Sequence, residues 1–141
     1  MTLSDAQRRE AAKVAAYATG PEAIDAAAAE LATFDNAYPD REYEVLIDCP
    51  EFTAVCPMTG QPDFGHIRIT YVPKGSCIEL KSLKLYLQAF RQVGMFHEVV
   101  TNRILDDLVA ALRPRRLEVD GEYRPRGGIT TTVRARYDDA E

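Results

Sequence analysis

The sequence predicts an α+β domain: a four-stranded antiparallel sheet with two helices on one face, in the chain order strand, strand, helix, helix, strand, strand. Three observations predict it. Apolar residues recur at every second position in two segments before residue 72 and two after residue 116. Between residues 82 and 112 they recur at spacings of three and four. The 141 residues are 46% hydrophobic and 28% charged, the balance of a chain that folds around a core.

Residues 1–33 are Ala-rich and read as a helical arm, with residues 34–141 as the domain that carries the chemistry. Ser4 is placed to cap a helix to about Ala18, and Gly20-Pro21 breaks it. A second helix runs from Pro21, a favourable first helical residue, to Ala32. The blandest role for this arm is peripheral. From Glu42 the period becomes two: Tyr43, Val45 and Ile47 alternate with Glu42, Glu44 and Asp48. A turn-rich loop spans Cys56 to Asp63. Ile67, Ile69 and Tyr71 mark the second strand, and Ile78-Glu79-Leu80 is extended. Leu83, Tyr86, Leu87 and Phe90 predict a helix over Ser82–Gly94. Val100, Ile104, Leu108 and Ala111 predict another that stops before Pro114. Leu117 to Tyr123 and Ile129 to Ala135 are the last strands, separated by a break at Pro125-Arg126-Gly127-Gly128. Such a sheet leaves two open edges, which other copies commonly close.

Charge and length exclude several classes. A net charge of −5 argues against a dedicated nucleic-acid binder. The apolar runs are too short to span a bilayer as a helix. The N-terminus is charged and lacks the apolar stretch of an export signal, so the expected compartment is the cytoplasm. There Cys49, Cys56 and Cys77 are expected as free thiols. No HxH, HExxH or CxxC occurs, so no metal is expected. The chain is too short for a dinucleotide-binding domain beside a catalytic one. A nicotinamide cofactor would have to be held another way.

Cys56 is the informative thiol. Pro57, Gly60 and Pro62 hold its loop, and Asp63 follows seven positions later. A thiol and a carboxyl group together can carry out nucleophilic attack with proton transfer. Cys49 and Cys77 lie in or beside strands, where an inert buried thiol is the ordinary outcome. His66 falls on the polar side of a strand. His97-Glu98 stands at a helix junction, where a site is one alternative and an ordinary helix start the other. Lys81 and Lys84, on one face of a helix start, can hold phosphate together with first-turn amides, or simply face solvent. Arg124 and Arg126 offer a second anion contact beside Gly127-Gly128.

Four ordered motifs carry a resemblance over residues 34–134. Glu79-Leu80-Lys81-Ser82-Leu83-Lys84-Leu85-Tyr86 is one. Phe52-Thr53 through Val55-Cys56-Pro57, with Thr59-Gly60-Gln61-Pro62-Asp63-Phe64, is the second. Phe96-His97-Glu98 and Pro125-Arg126-Gly127-Gly128-Ile129 complete the set. Together they resemble the NADPH-dependent 7-cyano-7-deazaguanine reductases, the nitrile reductases of queuosine biosynthesis, in their short single-module form. The resemblance implies the tunnelling fold, ββααββ, shared with GTP cyclohydrolase I and pyruvoyl-tetrahydropterin synthase. It implies homo-oligomeric barrels, as stacked rings, with sites between subunits. The substrate is then a free deazaguanine, with no direct nucleic-acid or membrane partner. Zinc ligands of the fold's metal-dependent members are missing here, which disfavours the cyclohydrolase alternative.

The resemblance further implies roles. Cys56 attacks the nitrile to give a thioimide, Asp63 donates the proton, and His97 orients substrate or relays protons. Ile78, Glu79, Leu80, His97 and Glu98 bind the base. Lys81 and Lys84, with Arg126 as a weaker candidate, face the phosphates of NADPH, two of which are consumed per nitrile. A cysteine hydrolase, a pterin-type enzyme of the same fold and a binding module without catalysis are the rival readings.

Overall fold

The structure is a computed structural model that describes residues 4–7 and 20–139. The expected helix from Ser4 to Ala18 lies largely outside them. Within the described part, Ser4 and Gln7 exchange reciprocal side-chain to amide hydrogen bonds, as at a helix start.

Three helices and six strands follow: α1 (Glu22–Ala29), β1 (Thr33–Asp35), β2 (Val45–Val55), β3 (Pro62–Val72), β4 (Ser76–Ile78), α2 (Leu80–Gln88), α3 (His97–Leu112), β5 (Arg116–Arg126) and β6 (Ile129–Asp138). The main sheet has the antiparallel order β2-β3-β5-β6, and β1 pairs β4 in a small two-stranded sheet. The ββααββ core order matches the expectation. The period-two pattern sets one face inward: Ile67, Ile69 and Tyr71 of β3, Leu117, Val119 and Tyr123 of β5, and Phe52 and Ala54 of β2. Both helices cover this face. Leu83, Tyr86 and Phe90 pack over β2, with the Phe52 and Phe90 rings 5.5 Å apart. From α3, Val100, Ile104 and Leu108 join the same core. Each such buried side chain stabilises the fold by roughly 1.5–3 kcal/mol.

The opposite face is charged. Arg68 pairs with Glu122 at 2.7 Å, Arg134 with Asp120 at 2.6 Å and Arg136 with Glu118 at 2.8 Å, while His66 bonds Asp48. Cross-strand pairs of this kind contribute roughly 0.2–1 kcal/mol each.

Four features differ from expectation. Tyr43 precedes β2 and instead donates its hydroxyl hydrogen to Asn36 Oδ1 at 2.6 Å. The helix expected over Ser82–Gly94 ends at Gln88. Its last residues leave the helix because Val55 claims their backbone: Val55 N–H donates to Val93 C=O at 3.1 Å, and Met95 N–H donates to Val55 C=O at 3.0 Å. Pro125-Arg126-Gly127-Gly128 is no interruption of the sheet but a tight hairpin, with Arg126 opposite Ile129. Gly127 and Gly128 both have positive φ, at 56° and 80°, as this turn requires. The Ala-rich segment is not wholly peripheral either. Ile24 of α1 is fully buried in the common core, and Arg103 of α3 reaches Asp25 at 2.7 Å.

Candidate active site

The cysteine loop is the turn between β2 and β3. Cys56 N–H donates to Gln61 C=O at 2.9 Å, and Gly60 N–H donates to Cys56 C=O at 3.0 Å. Gly60 makes this closure possible with φ at 74°, a conformation that strains other residues. Ala54 faces Asp63 and Val55 faces Pro62 across the hairpin, so the alternation turns Cys56 and Asp63 to the same side. The Val55 contacts to residues 93–95 then draw the start of α3 to this end of the sheet. That contact brings His97 to Asp63.

Asp63 is the centre of the arrangement and is buried. Arg126 Nε donates to Oδ1 at 2.7 Å. His97 Nε2 lies 3.3 Å from Oδ2. The rest of the Arg126 guanidinium spreads across the cysteine loop. Nη1 donates to Thr59 Oγ1 at 3.3 Å, and Nη2 approaches the carbonyl oxygens of Gln61 and Pro62 at 3.4 Å each. The β5–β6 hairpin is thereby latched to the β2–β3 turn.

Partial burial alone would push the Cys56 thiol up. Hydrogen bonding from the Thr59 hydroxyl and from the Met58 and Thr59 amides outweighs it, with help from the Arg126 charge, and holds the thiol below its ordinary value. Cys49 shows the opposite balance: burial and the neighbouring Asp48 charge push it up. Cys77 is buried, its sulfur 3.7 Å from the Tyr43 hydroxyl. A thiol lowered in this way, on a loop that Arg126 ties to a buried carboxylate, is equipped for nucleophilic attack with proton transfer.

Asp63 and His97 lie together, Arg126 joins Asp63 to the loop that carries Cys56, and Glu98 is exposed on the next residue of α3. Arg126, expected at a cofactor phosphate, has its donors turned to Asp63 and the cysteine loop. Two contributors escaped the sequence reading. Thr59 is a side chain of the turn itself. Tyr123 stacks on His97 with ring centroids 3.9 Å apart. Thr59 lies in the cysteine-loop motif without a role of its own there, and no motif contains Tyr123, which only the hairpin register brings under α3.

The remaining predicted residues lie elsewhere. Ile78 N–H donates to the Tyr71 hydroxyl at 3.0 Å. Tyr71 stands eight residues beyond Asp63 in β3, about 26 Å along the strand. Glu79 caps α2, its carboxylate accepting the Lys81 and Ser82 N–H groups at 2.8 and 2.7 Å. Those first-turn amides, expected to hold phosphate, are therefore already satisfied, and they hold the Glu79 carboxyl below its usual range. Leu80 is exposed. Lys81 and Lys84, expected on one face, open onto different depressions. Lys81 borders a groove against α1 with Ala23, Ala27 and Glu30. Lys84 borders a cavity of about 350 Å³ between β2 and α2, with Phe52, Leu83, Leu87 and Arg91. A three-residue step along a helix turns about 60° away from alignment, and α1 packs into that gap. Among the described residues, no three His, Cys, Asp or Glu side chains are grouped to hold a metal ion.

The ββααββ order, the antiparallel sheet and the two helices on one face are those of the tunnelling fold. Residues 62–141 match the family model described as QueF-like protein. A protein of Anaeromyxobacter sp. (strain K), named NADPH-dependent 7-cyano-7-deazaguanine reductase, is 63% identical over 108 residues, which is 77% of this chain and 88% of that protein. A protein of the same name from Chlorobaculum tepidum is 60% identical over 107 residues, 76% of this chain and 92% of the relative. The crystal structure of the archaeosine synthase QueF-Like in its apo form superposes with a TM-score of 0.64 at 20% identity, covering 70% of this chain and 96% of that one. The chain belongs to the QueF-like protein family.

Proposed function

We propose that this protein is an NADPH-dependent oxidoreductase that reduces the nitrile of 7-cyano-7-deazaguanine to the primary amine, 7-aminomethyl-7-deazaguanine, for queuosine biosynthesis. The names of its relatives support the activity. The observation that supports the mechanism is the lowered Cys56 thiol on the loop that Arg126 ties to Asp63, with His97 at the other carboxylate oxygen.

Cys56 sulfur adds to the nitrile carbon. One carbon–sulfur bond forms, one carbon–nitrogen π bond breaks, and the nitrogen takes a proton. That proton balances the one leaving the thiol. Asp63 is proposed to carry it, with His97 Nε2 3.3 Å from its second oxygen. Arg126 holds the carboxylate in position throughout. The product is a thioimide on Cys56. NADPH, when bound, supplies hydride; reducing a triple bond to a single bond takes two hydrides, hence two NADPH per nitrile.

The residues present fit such a cofactor. The cavity over β2 has apolar walls from Phe52, Leu83 and Leu87 and cations at Lys84 and Arg91, a lining suited to a flat ring joined to phosphates. Lys84, and Lys81 from the neighbouring groove, would hold phosphate. Glu98, exposed beside His97, would accept hydrogen bonds from the guanine-like edge. A site built that way rejects analogues lacking those donors. Ile78, Glu79 and Leu80 complete the base pocket from a second copy, consistent with their distance along β3 and with the open edges of β2 and β6.

Intact-mass measurement tests the nucleophile. Mixed with the nitrile and no NADPH, the chain should gain the mass of one substrate, and Cys56→Ala should abolish the gain. Substrate-dependent loss of reduced-nicotinamide absorbance tests the reaction. Release of acid and ammonia with no NADPH consumed would show a hydrolase instead.

A further inference from the structure

Tyr123 is buried directly beneath the candidate site, yet the scheme above gives it no task. Its ring lies parallel to the His97 imidazole, with centroids 3.9 Å apart and planes inclined by only 2°. Its hydroxyl is 2.9 Å from Thr101 Oγ1 and donates to the His97 carbonyl oxygen at 3.4 Å. Thr101 donates to that same carbonyl at 3.0 Å. His97 is thus gripped twice by one residue, at its ring and at its backbone.

The ring can lie there because two neighbours lack side chains. Gly65 is directly opposite Tyr123 in the β3–β5 register, and Gly121 precedes it by two on the same face. A Cβ on Gly65 would stand 3.0 Å from Tyr123 Cδ1. A Cβ on Gly121 would stand 2.9 Å from both Cε2 and the hydroxyl oxygen, and 2.7 Å from Thr101 Oγ1. One edge of the ring covers each glycine. Any larger residue at either position must push the plate toward His97.

We infer that Tyr123, laid flat on the Gly65–Gly121 floor, is a positioning residue that sets the plane of the His97 imidazole and keeps Nε2 directed at Asp63. Two flat rings in contact exchange tilting freedom for stacking energy, and one ring here is immobilised by its own burial and hydrogen bonds. Burial pushes the Tyr123 phenol up to about 12, with the Asp63 and Glu98 charges adding to it against the Thr101 hydrogen bond. It therefore keeps its proton and acts through shape. This assignment rests on the proposed reduction for its kinetic arm only.

The test is a double-mutant cycle with an NMR readout. Tyr123→Leu should lower kcat about tenfold when His97 is present and less than about twofold in a His97→Gln background, because the plate acts through His97. Tyr123→Phe, which keeps the ring, should restore most of the loss. In the intact protein the His97 ring protons should carry an upfield ring-current shift, retained in Tyr123→Phe and lost in Tyr123→Leu. Equal losses in both backgrounds, or an unmoved His97 signal in Tyr123→Leu, would overturn the assignment. Should Tyr123→Leu not fold, Gly65→Ala replaces it: the added methyl tilts the ring, and the same cycle and shift apply. Absence of nitrile reduction by the unaltered chain refutes the proposed reaction and leaves the ring-current arm to judge the stack.

Discussion

Arg126→Met separates the two tasks that sequence and structure give this arginine. The substitution keeps much of the aliphatic stem and removes the guanidinium. Lost with it are the 2.7 Å bond to Asp63 and the three longer contacts to Thr59, Gln61 and Pro62. Asp63 stays buried without its strongest partner. Breaking a fully buried pair costs about 3–5 kcal/mol, and an exposed pair is worth about 0.2–1 kcal/mol. The Arg126 side chain is 34% exposed and that of Asp63 is 8% exposed, so the cost falls between, at about 2 kcal/mol. For a domain of this size that lowers Tm by about 8 °C. The Cys56 thiol also loses its positive neighbour and moves back up, so its thiolate fraction near neutral pH falls. The assay is the rate of adduct formation with the nitrile in the absence of NADPH, with thermal unfolding beside it. Misplacing the proton carrier should slow that half-reaction about 10²-fold, the low end of what acid–base catalysis contributes. An unchanged adduct rate and Tm, with only the KM for NADPH raised, would mean that Arg126 holds a cofactor phosphate and does not latch the cysteine loop.

Three further outcomes follow from the same geometry. Thr59→Val removes the hydroxyl beside Cys56 and should move the midpoint of its alkylation-rate profile to higher pH, while Cys49, which burial pushes up, remains the slower thiol at pH 8 in both proteins. Glu79→Ala frees the Lys81 and Ser82 amides and should lower Tm in thermal unfolding, with the Cys56 profile unmoved. Tyr86→Phe deletes the 2.5 Å hydrogen bond to Asp107, which Arg103 still pairs at 2.6 Å, so the loss should stay near 1–2 kcal/mol; a loss above about 4 kcal/mol would show that the phenol, not Arg103, is what keeps Asp107 satisfied.

The legibility of this chain follows the range of the interactions concerned. Strands β3 and β5 are readable because one face is core and the other is charged, so Ile67, Ile69 and Tyr71 announce their partners by period alone. The start of α3 is readable from Val100, Ile104 and Leu108. The end of α2 is not. Ala89 to Val93 has the composition of a helix but closes as successive turns, and its far end is held by Val55, nearly forty residues earlier, through the Val93 carbonyl and the Met95 N–H. The site divides in the same manner. Cys56 and Asp63 belong to one hairpin, and its turn chemistry places them together. Asp63 and Arg126 are 63 residues apart, and their meeting depends on two hairpins being aligned by β3–β5 pairing.

That same alignment explains why the arginine, legible as a cation beside two glycines, is expected at a cofactor phosphate and meets a carboxylate instead. A guanidinium at a Gly-Gly hairpin can serve a phosphate or a carboxylate equally, since both offer two oxygens to its fork. What decides between them is which anion is already within reach when the chain has folded. Here the Gly127-Gly128 turn is tight, leaving Arg126 at the last paired position of β5, and Asp63 occupies the second position of β3 at the same end of the sheet. A buried carboxylate is costly unless it is paired and hydrogen-bonded. The fold supplies the pairing cation from the opposite hairpin. Carboxylate position and loop closure therefore depend on one side chain, which also adds to the lowering of the thiol. Substitutions at Arg126 should accordingly loosen the loop and raise the thiol together, whereas substitutions at Lys81 or Lys84 should do neither.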